Sequence, residues 1–289
     1  MGSQYLTHNN YFTTSGHGQD WKVHLTSCTS NPNSFYKEAI HAANLIYESA
    51  SSPLILLFSG GLDSEYMVNV FKSAGIDFKV AIISYGAYNK HDTQYAFRYC
   101  ESQGITPIVI DVDMDQFITS GKIIEIATTA KCCAYQIPSI MHALTKIDGT
   151  IVMANGEPYI KNFDGDWRWE ETERVNSYMG WFKSQGLEGT PDFLRYTPEM
   201  TVGFLMDPRV IQLVNNDHPG KLSTRTSKHM IYSKDFALEK RSKFTGWEKL
   251  EKTPIMESEI FKEFDLLKEK YNGVYELTYN DLVDILLTT

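Results

Sequence analysis

One short segment constrains this chain more than any other feature: the sequence SGGLDS at residues 59–64. It follows a continuous apolar run at 54–58, which is typical of a buried parallel strand, and it leads into a helical pattern at 63–74. Adjacent glycines let backbone N–H groups approach an anion closely, and the start of a helix adds partial positive charge. The segment therefore predicts a strand–loop–helix unit that binds phosphate groups.

The side chains of this loop indicate how it would hold a phosphate. Ser59 and Ser64 offer hydroxyl donors. Asp63 is unsuited to direct contact with phosphate, but its carboxylate can hold a Mg²⁺ ion that bridges phosphate oxygens. The alternative is an ordinary tight turn in which Asp63 or Ser64 caps the helix. The predicted binding residues are Ser59, Gly60, Gly61, Leu62, Asp63 and Ser64.

Downstream of the loop, apolar runs alternate with helical patterns. Strands are predicted at 54–58, 78–84, 106–112 and 151–154, with helices at 63–74, 91–103, 115–129 and 135–146. Such alternation predicts an α/β protein built on a doubly wound parallel sheet. Sheets of this kind bind ligands at the carboxyl ends of their strands, where the SGGLDS loop is expected.

The alternation does not extend to either end of the chain. A short strand at 21–26 and a helix at about 34–49 are predicted before it. After residue 160 the apolar positions are mostly helically spaced, with one strand and a helix at 274–287. The acidic, Trp-containing segment 162–173 is interpreted as an exposed loop entering a helix. The predicted domains are an N-terminal segment at 1–52, a nucleotide-binding domain at 53–160 and a helical substrate-side extension at 161–289.

The SGGLDS segment resembles the SGGxDS signature of the PP-loop ATP pyrophosphatases. That superfamily includes asparagine synthetases, NAD synthetase and several tRNA-modifying enzymes. The resemblance covers about residues 53–160 and implies an adenine nucleotide alpha hydrolase-like fold. It also implies an enzyme that uses ATP and Mg²⁺, cleaves ATP to AMP and pyrophosphate, and adenylates its substrate. The pattern is most similar to the asparagine synthetase-like, amide-forming branch.

Further positions gain a role from this resemblance. In the superfamily, the backbone at the end of the second strand binds adenine, and Ser84 stands there in this chain. In the amide-forming branch, a Gly-Glu loop after the fourth strand lies beside the pyrophosphate, which corresponds here to Gly156 and Glu157. The chain lacks the longer acidic continuation of that loop. The second metal ligand is therefore Glu157 alone, or Asp164 or Asp166 takes part.

Positive charge is concentrated in one part of an otherwise acidic chain. The net charge is −9, yet residues 221–252 contain nine Lys or Arg and four Asp or Glu. In the amide-forming relatives, a lysine from the C-terminal part neutralises the developing pyrophosphate charge. Arg225, Lys228 and Tyr232 would share one face of a helix, so Lys228 and Arg225 are the first catalytic candidates, followed by Lys234. A solvated helix face would explain the same charges without any function.

Two adjacent cysteines, Cys132 and Cys133, bear on other functions. Thiolating PP-loop enzymes of the tRNA type carry a Cys-x-x-Cys pair near this position, whereas adjacent thiolates cannot easily face one metal. The pair is interpreted as small, buried helix residues. QueC-type deazaguanine synthetases use a cysteine-rich zinc site near the C-terminus, and the lack of cysteines after Cys133 disfavours that assignment. An RNA base-thiolating enzyme and a non-catalytic adenine-nucleotide-binding protein remain as alternatives.

Composition indicates the expected setting and partners. No signal peptide is visible, no apolar stretch approaches the roughly 20 residues of a membrane span, and four cysteines do not form a disulfide framework, so a cytoplasmic protein is expected. An acidic chain is a poor general binder of nucleic acid, which favours a small-molecule substrate. Residue 2 is Gly2 rather than the catalytic cysteine of glutamine-dependent relatives. The nitrogen donor is therefore expected to be a substrate amine or ammonia from an external source, and an oligomer remains possible.

Overall fold

A parallel β-sheet flanked by helices forms the centre of the protein, whose structure here is a computed structural model. The structure describes residues 6, 11–215, 223–241 and 246–288. In those ranges the strands are β1 (Phe12–Ser15), β2 (Lys22–Leu25), β3 (Leu54–Leu57), β4 (Lys79–Ser84), β5 (Ile108–Asp111), β6 (Thr150–Val152), β7 (Ile160–Phe163), β8 (Asp166–Thr172), β9 (Gly189–Thr190) and β10 (Val274–Thr278).

Helices lie on both sides of the sheet and fill most of the C-terminal part. Those in the described ranges are α1 (Phe35–Ser49), α2 (Leu62–Ser73), α3 (Lys90–Ser102), α4 (Met114–Thr119), α5 (Lys122–Ala130), α6 (Ile137–Leu144), α7 (Asn176–Gln185), α8 (Pro198–Leu205), α9 (Pro208–Asn215), α10 (Thr224–Tyr232), α11 (Trp247–Leu250), α12 (Glu259–Lys270) and α13 (Tyr279–Leu287). A helix with the length and apolar character of a membrane span does not occur in this described part of the chain.

The main sheet has five strands in the order β5-β4-β3-β6-β9, and all neighbouring pairs are parallel. The predicted α/β fold with a doubly wound sheet is therefore confirmed. The chain leaves β3 toward β4 and β5 on one side and later returns to place β6 and β9 on the other. A crevice forms at such a reversal of strand order, so the loops after β3 and β6 are placed to share a ligand.

Strand β3 is buried on both faces, as its unbroken apolar sequence predicts. Leu54 and Leu56 pack into one hydrophobic cluster, whereas Ile55 and Leu57 pack into a second cluster on the other face of the sheet. Successive side chains of a strand point to opposite faces, so one strand contributes to both layers. This double burial holds the loop that follows β3 on a rigid support.

The segment 162–173, interpreted from sequence as an exposed loop entering a helix, instead forms most of an antiparallel sheet. Strands β7 and β8 make a hairpin, and β10 pairs with β8 on its other side. Trp167, Trp169 and Glu171 are the buried side chains of β8, so the strand alternates between inward and outward positions. The prediction was wrong because the charged residues between the tryptophans obscured this period of two.

Two details of the predicted helices also differ. The single helix expected at 115–129 is divided into α4 and α5 at Gly121, whose φ of +74° is readily adopted by glycine and interrupts a helix. Cys132 and Cys133 lie after α5 rather than inside a helix. The helical spacing predicted after residue 160 is confirmed at α9 and α12, and the strand and helix predicted at 274–287 are confirmed by β10 and α13.

A two-residue strand links the C-terminal part to the main sheet. β9 pairs with β6 through Gly189 opposite Ile151, although it belongs to the predicted extension after residue 160. Gly189 has a φ of +129°, and a Cβ atom there would lie 1.9 Å from the Ile151 carbonyl oxygen. Only glycine fits this approach of two backbones. The domain limits at 52 and 160 stay a prediction.

We expect Gly189→Ala to lower the thermal stability more than Gly165→Ala does. Both glycines have positive φ, but nothing lies within 4 Å of a Cβ at Gly165, which therefore controls for backbone strain alone. Overpacking at Gly189 adds roughly 1–3 kcal/mol of destabilisation to that strain. Thermal or urea unfolding of both variants measures the difference, and equal losses would contradict the close approach.

Candidate functional site

The candidate site lies where β3 and β6 end, beside the reversal of strand order. The SGGLDS loop follows β3 and leads directly into α2, whose first residue is Leu62. The loop 153–158 follows β6, the neighbouring parallel strand. The two loops therefore meet at one edge of the sheet, in the position that binds ligands in doubly wound folds.

Hydrogen bonds within the SGGLDS loop hold it in a tight turn. Ser59 and Ser64 lie with their hydroxyl oxygens 3.1 Å apart, and the Gly61 N–H donates to the Ser59 oxygen at 3.3 Å. At Gly60, φ is +87° and a Cβ would lie 2.1 Å from the carbonyl oxygen of Asp92 in α3. The loop thus presents the exposed Ser59 hydroxyl beside the N-terminus of a twelve-residue helix, which suits an anion, whereas the buried Ser64 hydroxyl donates to the Gly61 carbonyl oxygen at 3.0 Å.

A three-residue ionic cluster joins the loop to distant parts of the chain. The Lys228 ammonium lies 2.5 Å from Oδ2 of Asp63 and also forms an ion pair with Oε2 of Glu157. All three side chains are largely buried, with exposed fractions of 13% for Lys228, 22% for Asp63 and 11% for Glu157. The structure thus brings together three residues predicted from sequence to act at one site.

Burial and neighbouring charge change the acidity of this cluster. The pKa of Glu157 rises from its ordinary 4.5 to about 7, because burial disfavours its charge and Asp63 adds repulsion, while Lys228 and Arg225 act in the opposite direction. Burial lowers the pKa of Lys228, but the two carboxylates outweigh it and raise the pKa above its usual value. Lys228 is therefore a cation at neutral pH, and Glu157 is poised to gain or lose a proton.

The N-terminus of α10 is fixed to the strand that follows Glu157. The Thr224 hydroxyl donates to the Pro158 carbonyl oxygen at 2.9 Å and accepts from the Ile160 N–H at 3.0 Å. Ser223 caps the helix through a reciprocal pair of bonds with Thr226. These contacts set the position from which Lys228 reaches the carboxylates. Sequence reasoning overlooked Thr224, because a buried threonine has no distinctive pattern.

A buried arginine supports the Gly156–Glu157 loop from behind. Gly156 has a φ of +94°, and a Cβ there would lie 2.4 Å from Cγ of Arg195. Arg195 is buried and forms ion pairs with Glu171 at 2.8 Å and Asp192 at 3.3 Å. Gly156 thus permits close packing on Arg195. This arginine carried no sequence signal, because its contacts with Gly156 and Glu171 join segments that are separated in the chain.

Ser84 ends β4, the strand beside β3, so it lies along the same edge of the sheet as the loop. Its hydroxyl accepts from the Gly86 N–H at 3.3 Å. The turn that follows is held by Asn89, which accepts from the Tyr85 N–H at 2.8 Å and donates to the Ile83 carbonyl oxygen at 2.9 Å. The adenine-binding role of Ser84 stays a prediction.

The other predicted cations lie apart from the carboxylates. The Arg225 guanidinium is exposed and lies 4.1 Å from the centre of the Tyr159 ring. Lys234 is exposed beyond the end of α10, where its charge acts on Asp207 and Asp235. Neither forms an ion pair with Asp63 or Glu157 within the described ranges. Lys221 and Lys243 of the basic segment lie outside the residues that the structure describes.

The two remaining candidates for a metal ligand lie at the tip of the β7–β8 hairpin. Asp164 occupies the turn with a φ of +52° and is exposed. Asp166 pairs instead with Arg168 at 2.7 Å. Neither shares a hydrogen bond or ion pair with Asp63 in the described part of the chain. Glu157 is therefore the carboxylate that accompanies Asp63.

The residues present fit a magnesium ion whose coordination is completed by a substrate. No group of three or more His, Cys, Asp or Glu side chains suited to a metal occurs among the described residues. Mg²⁺, however, is commonly held by one or two carboxylates together with substrate phosphates and water. Asp63 and Glu157 supply that pair, and the buried Oε1 of Glu157 has no hydrogen-bond partner in the described structure.

The cysteine pair does not resemble a reactive centre. All four cysteines are free thiols, and Cys132 is buried. Burial raises the pKa of Cys132 to about 12. Burial and the charge of Glu173 raise the pKa of Cys133 to about 11. Thiols with raised pKa values are weak nucleophiles at neutral pH.

Comparison with known families links this site to a superfamily. The family model described as "Queuosine biosynthesis protein QueC" matches residues 53–139, which include β3, the SGGLDS loop and α2. The match supports the PP-loop ATP pyrophosphatase superfamily, but it does not confirm the asparagine synthetase-like branch. The QueC assignment, disfavoured by the lack of cysteines after Cys133, thus receives support from a family match, which ends before the C-terminal region. No curated protein is significantly similar to the chain.

Three solved structures are similar over 81% of this chain at low identity. The NH3-dependent NAD synthetase from Campylobacter jejuni subsp. jejuni NCTC 11168 has 11% identity, a TM-score of 0.36 and 93% of its own chain covered. NMN synthetase from Francisella tularensis has 13% identity, a TM-score of 0.33 and 92% of its own chain covered. The U34-tRNA thiolase NcsA from Methanococcus maripaludis has 12% identity, a TM-score of 0.33 and 80% of its own chain covered. Values this low do not carry a neighbour's reaction over to this chain.

We expect the unusual acidity of Glu157 to appear in the pH dependence of stability. An acid whose pKa is raised by folding binds its proton more tightly in the folded state, so its contribution to stability declines as pH rises from about 4.5 to about 7. The free energy of unfolding of the wild type should therefore fall, relative to Glu157→Gln, across that window. Urea unfolding over a pH series measures this, with the exposed Glu259→Gln as control. Parallel curves for wild type and Glu157→Gln would contradict the raised pKa.

Proposed function

We propose that this protein is an ATP pyrophosphatase that cleaves ATP to AMP and pyrophosphate and adenylates an oxygen of a small-molecule substrate. The observation that carries the proposal is the meeting of Asp63, Glu157 and Lys228 at the end of β3. Two carboxylates suited to Mg²⁺, a lysine and a phosphate-type loop are the groups that adenylyl transfer requires at one place.

Each part of the site has a distinct role in this proposal. The loop at 59–64 would bind the phosphates through its backbone N–H groups and the hydroxyls of Ser59 and Ser64. Asp63 and Glu157 would hold Mg²⁺, which when bound supplies positive charge to the phosphate oxygens. The end of β4 at Ser84 would position adenine.

Lys228 is the residue that we assign to the leaving pyrophosphate. Negative charge on that group increases as the bond between the α- and β-phosphates breaks. A cation at this position therefore stabilises the transition state more than it stabilises bound ATP. Arg225 lies outside the ion-paired cluster, on the same helix face, and would act on the outer part of the ligand.

The second half of the proposed reaction forms a C–N bond. A nitrogen nucleophile would attack the carbon that bears the adenylated oxygen, form an amide or a related C–N bond, lose a proton, and release AMP as the bond between that carbon and oxygen breaks. Ammonia from an external source or a substrate amine would serve as that nucleophile. Thiolation of an RNA base is the weaker alternative, because the raised pKa values of Cys132 and Cys133 disfavour the thiolates that sulfur transfer needs.

The products of ATP cleavage test the proposed class of reaction. The protein is incubated with ATP, Mg²⁺ and a panel of carboxylic acids, with or without an ammonium salt, and nucleotides are followed by chromatography and ³¹P NMR. AMP and pyrophosphate support the proposal. ADP and inorganic phosphate, or ATP that stays intact with every candidate, would contradict it.

We expect Asp63→Asn to abolish pyrophosphate release while the protein stays folded. The amide matches the carboxylate in size but lacks the charge that holds Mg²⁺. Circular dichroism checks the fold, and calorimetric titration with ATP at several Mg²⁺ concentrations checks binding. A variant that releases pyrophosphate at a near-normal rate would remove Asp63 from the mechanism.

We expect Lys228→Met to lower kcat about 10²–10³-fold, the usual cost of losing one donor to a developing anion in a closed site. The KM for ATP should change much less, because the interaction strengthens only as the bond breaks. Lys234→Met is the matched control, since this lysine is exposed and lies beyond the same helix. Equal steady-state rates for the two variants would assign the pyrophosphate contact to another residue.

A further inference from the structure

Helix α10 binds the Asp63 carboxylate through both of its oxygens. Lys228 contacts Oδ2, and the Tyr232 hydroxyl donates to Oδ1 at 3.0 Å. Lys228 and Tyr232 are four residues apart, so they lie on the same face of the helix. Oδ2 therefore faces a positive charge, the Lys228 ammonium, whereas Oδ1 accepts a hydrogen bond from the phenol.

The Tyr232 ring has little freedom to move. It is fully buried and stacks against Tyr66, with ring centres 4.6 Å apart, and against Phe35 at 6.1 Å. The Tyr232 hydroxyl is therefore presented to Asp63 as a hydrogen-bond donor from a fixed place.

A second tyrosine in the same stack serves as an internal comparison. Tyr66 is also fully buried and stacks against both Phe35 and Tyr232. Its hydroxyl, however, donates to Asp235 at 3.1 Å and not to Asp63. The two phenols therefore share one packing environment and differ in the carboxylate that they contact.

We propose that Tyr232 is a positioning residue, which holds Oδ1 of Asp63 and thereby directs Oδ2, the oxygen that Lys228 contacts, toward the metal–nucleotide complex. This inference rests on the proposed function, because it assigns Asp63 to the metal. Partners that orient a metal ligand from behind typically contribute about 10–100-fold to metal affinity or activity. A carboxylate whose Oδ1 is already held by a fixed phenol also loses less rotational freedom when Oδ2 binds a further cation.

Binding of Mn²⁺ and ATP tests the assignment without any acceptor substrate. Mn²⁺ replaces Mg²⁺ at oxygen ligands, and its free and bound forms are distinguished by electron paramagnetic resonance. Tyr232→Phe removes the hydroxyl and keeps the stacked ring, and it should weaken Mn²⁺ binding in the presence of ATP by about tenfold. Tyr66→Phe, which removes the neighbouring hydroxyl, should bind like the wild type.

A double variant separates positioning from a general effect on the fold. If Tyr232 acts through Asp63, then adding Tyr232→Phe to Asp63→Asn should cause no further loss of Mn²⁺ binding. A purely structural role would cause an additional loss in the double variant. This comparison holds even if Tyr232→Phe lowers the melting temperature somewhat, because it is made within one background.

The outcomes of these experiments distinguish a failure of the role assigned to Tyr232 from a failure of the proposed function. Selective weakening in Tyr232→Phe, together with no additional loss in the double variant, supports positioning. Binding by Tyr232→Phe within about twofold of wild type, or equal weakening in both single phenylalanine variants, overturns it and leaves the proposed function intact. A wild type that does not bind Mn²⁺ with ATP contradicts the proposed function itself, and the assignment of Tyr232 with it.

Discussion

The ion pairs of Lys228 with Asp63 and Glu157 are the interaction on which the arrangement of this protein depends. Burial is the largest cause of the raised pKa of Glu157, and repulsion by the nearby Asp63 carboxylate adds to it. Placing a cation between the two carboxylates makes the pair tolerable, since buried charges are stable only when they are matched. The positions of the sheet loops and of α10 are consistent with that requirement.

Three residues outside the cluster hold the charged side chains and their loops in place. Thr224 attaches α10 to the backbone after Glu157, and Arg195 packs under Gly156. Tyr232 belongs to an aromatic stack that reaches into the main hydrophobic core. Backbone hydrogen bonds and close packing therefore hold the charged groups of the site in a defined geometry.

The features that the sequence predicted well are those set by neighbouring residues. The loop at 59–64 was predictable because its glycines, its serines and the following helix act locally. The parallel sheet was predictable because β3 to β6 each carry an apolar run between helical patterns. The position of Glu157 beside Asp63 was expected from the resemblance to the amide-forming branch, and it agrees with the rule that parallel strands end at one edge of the sheet.

What the sequence could not show depends on contacts between distant segments. Arg225, Lys228 and Lys234 are equivalent as charges, and only the docking of α10 distinguishes Lys228. The role of Arg195 could not be predicted from the sequence because it depends on packing against Gly156. The strand β8 was missed since its outward charges dominate the composition of a segment whose tryptophans point inward.

The wide separation of the cluster along the chain has a consequence for biosynthesis. Asp63 and Glu157 leave the ribosome well before Lys228, which is 165 residues after the aspartate. A nascent chain that has completed β3 and β6 therefore holds two facing carboxylates without their cation. Until α10 has been synthesised, the two carboxylates lack their cation and repel each other. This repulsion favours separation of the two loops during translation. The helix that completes the site thus also sets the moment at which the site can close.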